Sequence, residues 1–115
     1  MPSYASLPGS VTVEPHGSVT LVRLRGEIDI SLRDQASSAL PRLLDPRLPV
    51  EVDLAEVRLL SATGLSFLVQ CKDACTRAGL SCVLRGVPAH VAVVLAAAEL
   101  TAYLGDDDRH GRVSS

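Results

Sequence analysis

Aromatic residues are nearly absent from this sequence. It has no tryptophan, one phenylalanine and two tyrosines, 3% of the chain in all. Any core must therefore be aliphatic, and a broad stacking platform for single-stranded nucleic acid is excluded. Lysine is as scarce: Lys72 stands alone among scattered arginines, and the formal net charge is −2. No basic stripe is present to follow a phosphate backbone, so nucleic-acid binding is not expected. The three cysteines, Cys71, Cys75 and Cys82, cannot complete a disulfide framework, and a reduced, cytoplasmic setting is the default expectation. The longest apolar run, Val91 to Ala98, is too short to cross a bilayer and is bounded by His90 and Glu99, so membrane insertion is not expected either. Met1 to Ser10 has no charged segment followed by an apolar core and does not read as a secretory signal.

Aliphatic residues are plentiful. Hydrophobic residues make up 47% of 115, enough for one domain with a single core. Residues 1–9 read as a flexible lead-in, 10–104 as the domain, and 105–115 as an acidic, polar tail. Val11 to Glu14 and Val19 to Arg25 alternate as strands do, and the turn Pro15-His16-Gly17-Ser18 makes them an antiparallel hairpin. Thr20, Val22 and Leu24 face one way; Arg23 and Arg25 face the other.

A helical period follows, with Ser31 as the expected cap, Asp34 in the first turn, and Leu32, Ala36, Ala39, Leu40 and Leu43 on one face. Pro41 is expected to end or kink this helix early. Val50, Val52 and Leu54 alternate with Glu51 and Asp53 as a third strand. A second helix is predicted from Ala62 to Ala78, stopped by Gly79. Its inner side carries Phe67, Leu68, Cys71, Cys75 and Ala78; its outer side carries Ser66, Gln70, Asp73 and Arg77. Cys82 to Arg85 is a fourth strand, Pro88 opens a third helix, and Tyr103 and Leu104 close the domain as a short strand or docking segment.

Two strand–helix–strand units imply right-handed crossovers and parallel pairs. Most strands have a polar face as well as an apolar one, which a sheet covered on both sides would lack. The expected fold class is α/β: a mixed four- to five-stranded sheet with helices mainly on one face. Arg23, Arg25, Glu51, Asp53 and Arg85 would share the open face, where opposite charges can pair weakly across strands.

The informative segment is Leu59-Leu60-Ser61-Ala62-Thr63-Gly64-Leu65, where a strand and loop turn into the second helix. Ser61 can cap the helix, which puts Thr63 in its first turn beside N–H groups that lack intrahelical partners. Gly64 removes side-chain bulk next to that hydroxyl. The residues admit two readings. In one, Ser61 and Thr63 only cap and Gly64 allows close packing. In the other, Thr63 accepts a phosphate that the positive end of the helix stabilises.

Gly26-Glu27-Ile28-Asp29, then a helix, then Val52-Asp53-Leu54, then Leu60-Ser61-Ala62-Thr63-Gly64-Leu65 together resemble the STAS domain of anti-sigma factor antagonists. The resemblance spans roughly residues 10–104 and implies a STAS-like fold. It implies that the phosphoacceptor, the hydroxyl directly before the glycine, is Thr63. Asp29 matches the acid that lies near the phosphosite, and Ser61, Ala62, Gly64 and Leu65 flank it or meet the partner. It further implies a protein that binds an anti-sigma factor Ser/Thr kinase while unphosphorylated and so frees a sigma factor. Phosphorylation then releases the kinase, and a metal-dependent Ser/Thr phosphatase resets the switch. Such a domain is a substrate and not an enzyme. The alternative within the family is a STAS scaffold subunit of a regulatory or lipid-transporter complex, without the phosphate switch. Two positions depart from the family pattern. Its Asp at the start of the motif is Ser61 here, and the basic residue and terminal Ser/Thr-Gly-Leu of the third helix are Val93 and Ala98-Glu99-Leu100.

The other constellations read as structural. Cys71 and Cys75 are one helical turn apart, but no His or third Cys sits at a suitable local distance, so they read as core and no metal or cofactor is expected. His16, His90 and His110 are not placed beside a nucleophile. Asp106-Asp107-Asp108 reads as a solvated stretch. The third helix is apolar nearly all round: Val91, Val94, Leu95 and Ala98 can face the core, leaving Val93, Ala96 and Ala97 outside. Alanine is the best helix former, so that outer side needs no further reason; alternatively, Val93 and Ala97 border a docking surface or a homodimer contact.

Overall fold

The computed structural model describes residues 9–104. The expected tail, with its three aspartates, lies outside them, as does the expected lead-in apart from Gly9. Four strands run β1 (Ser10–His16), β2 (Val19–Ile28), β3 (Val50–Leu60) and β4 (Cys82–Arg85), and they lie in that order across one sheet. β1 and β2 pair antiparallel, β2 with β3 and β3 with β4 parallel. The helices are α1 (Arg33–Leu44), α2 (Ala62–Ala78), α3 (Ala89–Ala97) and the single turn α4 (Thr101–Leu104). The α/β class and the mixed sheet are as expected, with four strands among the described residues.

The sheet divides the side chains by parity. Val22, Leu24, Val50, Val52, Leu54, Cys82 and Leu84 are buried under the helices, against Ala36, Ala39 and Leu43 of α1 and Phe67, Leu68, Cys71 and Cys75 of α2. The other face carries an ionic network across all four strands. Arg23 lies between Glu14 (3.4 Å) and Asp53 (3.5 Å), Arg25 meets Glu56 (3.1 Å), and Arg85 meets Glu51 (3.0 Å). These pairs are solvent-exposed or half-buried, so each is worth at most about 1 kcal/mol and together they serve register more than stability.

β3 is longer than the alternation suggests. It does not stop at Leu54 but runs to Leu60, because two register shifts against β2 insert extra residues into it. The buried positions change from every second residue (Val50, Val52, Leu54) to every third (Val57, Leu60), the signature of bulges. The Asp53 carboxylate accepts the Ala55 N–H at 2.9 Å, satisfying a donor at the first irregularity.

The start of α1 also differs from expectation. Ser31 is not the cap; it lies inside a 3₁₀ turn (Ile30–Leu32) whose cap is Asp29. One Asp29 oxygen accepts both the Ser31 N–H (3.0 Å) and the Ser31 hydroxyl (2.6 Å). A carboxylate two residues upstream reaches this donor pair, whereas the Ser31 hydroxyl is spent as a donor. Nor does α1 end at Pro41; it continues to Leu44. The missing N–H would have bonded the carbonyl of Ser37, an exposed residue, so the loss is tolerable near the helix end.

α2 has the predicted bounds, with Gly79 at φ 75° accommodating the left-handed stop. The described residues close with a helical turn, the docking segment rather than the fifth strand: Leu104 is buried, and the Tyr103 hydroxyl donates to Asp73 of α2 at 2.6 Å. All three cysteines are free and buried, and burial pushes the Cys71 thiol far up, so it remains a neutral part of the core.

Candidate functional site

The crossover from β3 into α2 builds the site. Ile28 ends β2 and Leu60 ends β3, and the two are paired. The carbonyl of Ile28 accepts the Ser61 N–H at 3.0 Å and the Ser61 hydroxyl at 2.9 Å. The same hydroxyl oxygen accepts the Thr63 N–H at 3.3 Å, so Ser61 caps α2, as expected, while remaining tied to β2. Its proton and a lone pair are both engaged. Thr63 is half-buried in the first turn, where backbone N–H groups lack intrahelical acceptors.

Gly64 is buried, and packing requires it there. A methyl group at this position would come within 3.0 Å of the Leu60 Cγ and 3.1 Å of the Ile28 Cγ2. The glycine lets the helix start press against the ends of both central strands. Leu65 is half-buried against the core and Ala62 is exposed.

Asp29 directly follows the Ile28 carbonyl that anchors Ser61, so the two segments meet. Its carboxylate is engaged by Ser31, and the Ser31 hydroxyl, aided by the Ser31 N–H, holds it below the usual carboxylate range. The acid is thus charged at neutral pH and acts first as the cap of the turn leading into α1.

Thr63 opens on a groove of about 380 Å³ between α1 and α2, lined by Arg33, Ala36 and Ser37 on one side and Ala62, Thr63, Ser66, Phe67 and Gln70 on the other. Among the described residues, none that lines it is acidic. Arg33 did not stand out in the sequence, because only the packing of α1 beside α2 brings it to the groove. Two exposed apolar side chains were likewise illegible: Ile30 (68% exposed) and Leu59 (48%) project near the C-terminal ends of β2 and β3.

α3 buries Val91 and Leu95 and leaves Val93 (68% exposed) and Ala97 outside, along with Ala96. Ala98, expected to face the core, is exposed instead, because the helix has already ended there. The ring of His90 donates from Nε2 to the Val57 carbonyl at 3.0 Å, pinning the start of α3 to the bulged half of β3 that leads to Ser61. Among the described residues, no cluster of His, Cys, Asp and Glu has the arrangement of a metal site, and no helix is long and apolar enough to cross a membrane.

The family described as "Mlab, STAS domain" matches residues 11–105. That span is nearly the whole described chain, and the protein belongs to this STAS family. No curated protein sequence matches it significantly. Among solved structures, an anti-sigma factor antagonist from Mycobacterium paratuberculosis superposes with a TM-score of 0.68 at 22% identity, covering 88% of this chain and 86% of that one. The Bacillus cell fate determinant SpoIIAA, in its phosphorylated form, gives 0.59 at 13% identity, covering 91% and 97%. At these identities the likeness establishes the shared fold.

Proposed function

We propose that this chain is an anti-sigma factor antagonist working by partner switching. Unphosphorylated, it binds an anti-sigma factor that is a Ser/Thr kinase, and a sigma factor is freed. The kinase transfers the γ-phosphoryl of ATP to the Thr63 hydroxyl: the new bond is Oγ1–P, ADP leaves, and the hydroxyl proton is released. The added charge, about −1.5 to −2, stands in the contact surface and breaks docking through desolvation and repulsion. A metal-dependent phosphatase restores the hydroxyl. The chain is the substrate in this cycle and supplies no catalytic group.

The observation that carries this reading is the division of labour between two hydroxyls two residues apart. Ser61 is consumed by the cap and the Ile28 carbonyl, whereas Thr63 lies in the first turn at the mouth of an acid-free groove. The names of the structural neighbours support the same role. The contact surface centres on Thr63 and includes Ala62, Leu65, Ile30 and Leu59, with Asp29 and Ser61 shaping it from below and Val93 and Ala97 at its border.

A second reading is favoured by Ser61 itself. It replaces the family's acid yet satisfies the helix start fully, as a chain that only scaffolds a regulatory or lipid-transporter complex would require. A native pull-down separates the two, with wild type, Thr63→Glu and Thr63→Ala as baits. Loss of a small Ser/Thr kinase with Thr63→Glu, and its retention with Thr63→Ala, is the expected result. Retention of one and the same partner by all three baits would overturn the switch in favour of the scaffold.

A further inference from the structure

We propose that Arg33 is the internal partner of a phosphate on Thr63, so that phosphorylation bridges α1 to α2 across the groove between them. The inference rests on Thr63 being the phosphoacceptor. It adds a residue that neither the motif nor the family pattern singles out.

The argument begins with the groove. Arg33 is the first residue of α1 and Thr63 belongs to the first turn of α2, and both line the same depression of about 380 Å³. Among the described residues Arg33 is its only charged lining residue. The rest of the wall offers hydroxyls from Ser37 and Ser66, the amide of Gln70, and the apolar surfaces of Ala36, Ala62 and Phe67. A groove whose described lining has one cation, several neutral donors and no carboxylate is complementary to a single anionic group.

The state of Arg33 points the same way. Among the described residues the ion pairs engage Arg23, Arg25, Arg77 and Arg85. Arg42 and Arg47 donate to backbone carbonyls. Arg33 appears in neither group, as Arg58 does not, but of the two only Arg33 lines the groove, and it is exposed. Arg33 thus has no ion pair among the described residues to break before its guanidinium meets a phosphate in the groove. The planar fork of an arginine matches two phosphate oxygens at once, giving charge-assisted bonds stronger than neutral ones.

Such a pair changes the docking surface twice. The phosphate adds negative charge at the rim of the groove, and it simultaneously withdraws the guanidinium from any acidic group that a partner presents. The two helices are bridged without a change of fold.

The test is a phosphorus NMR titration of protein carrying phosphothreonine incorporated at position 63 during synthesis. No kinase is needed, so this test stands apart from whether a kinase modifies the chain in the cell. The second ionisation of a phosphothreonine ordinarily lies near pH 6. The expected midpoint in the Arg33 protein is lower, by about 0.5 unit or more, than in Arg33→Gln or Arg33→Met, because a nearby cation favours the dianion. Arg33→Lys should fall between. The start of α2 is common to all four proteins, so the difference isolates residue 33. Because Arg33 is exposed, the neutral variants should melt like wild type before modification, and two of them guard against one misfolding. Identical midpoints in wild type and both neutral variants would overturn the inference.

Discussion

The Ser61 hydroxyl donates to the Ile28 carbonyl at 2.9 Å while its oxygen accepts the Thr63 N–H at 3.3 Å. One small side chain thus joins the end of β2 to the first turn of α2 and sets Thr63 at the mouth of the groove. The acid that the family pattern places here could accept from the helix, but as a carboxylate it could not donate to Ile28. Serine does both. Beside Thr63 the chain thus carries a neutral tie to the sheet in place of a charge.

Ser61→Ala should cost about 1 kcal/mol, the usual loss for an N-cap hydroxyl. The Ile28 carbonyl keeps the Ser61 backbone N–H, so it is not left unpaired. Urea unfolding should show a lower midpoint with an unchanged slope; a changed slope would point to a different native or denatured state.

Gly64→Ala tests whether the glycine serves packing. Alanine gains up to about 1 kcal/mol in helix propensity. Against this, its methyl would crowd Leu60 and Ile28, both buried, and overpacking typically costs about 1–3 kcal/mol. A net destabilisation is expected in thermal unfolding. A more stable variant would show that the helix start is looser than its contacts indicate.

Glu99→Gly should stabilise the fold. α3 ends with Glu99 at φ 61°, the Glu99 N–H on the Ala96 carbonyl (3.0 Å) and the Leu100 N–H on the Leu95 carbonyl (2.9 Å). This is a Schellman stop, the geometry Gly79 and Leu80 make after α2. Here a glutamate occupies the left-handed position, at a strain of about 1–2 kcal/mol. Glycine removes the strain and loses some chain entropy, leaving a gain of about 0.5–1 kcal/mol. Calorimetric melting reads this as a higher Tm.

Val93→Glu and Leu95→Ala should part company. Val93 is mostly exposed, so its substitution should change stability by less than about 0.5 kcal/mol. Leu95 is buried, and its truncation should cost about 2–5 kcal/mol. If Val93 borders the docking surface, Val93→Glu weakens association in titration calorimetry while the fold persists. Unaltered binding would remove Val93 from the surface.

Periodicity, turn residues and caps in the sequence determined the order of elements, the bounds of α2, the side of each strand that carries charge, and the position of Thr63 at a helix start. These are local properties, set by dihedral preferences and by the spacing of apolar residues along one chain. Where the sequence reading missed, a bond or packing partner from elsewhere had decided the matter. β3 outran its alternation because β2 holds the bulged segment in register, so Val57 and Leu60 turn inward at intervals of three. Ser31 yielded the cap to Asp29 because a carboxylate two residues upstream reached the free donors first. Pro41 did not stop α1 because the carbonyl it deprives belongs to an exposed residue. Of the two endings the sequence left open for Tyr103 and Leu104, packing chose the docking segment, a helical turn with Leu104 buried and Tyr103 bonded to Asp73 of α2. The groove beside Thr63, and with it the role assigned to Arg33, exists only once α1 and α2 lie side by side on the sheet. Distances between residues far apart in the chain are set by packing, and no local preference encodes them.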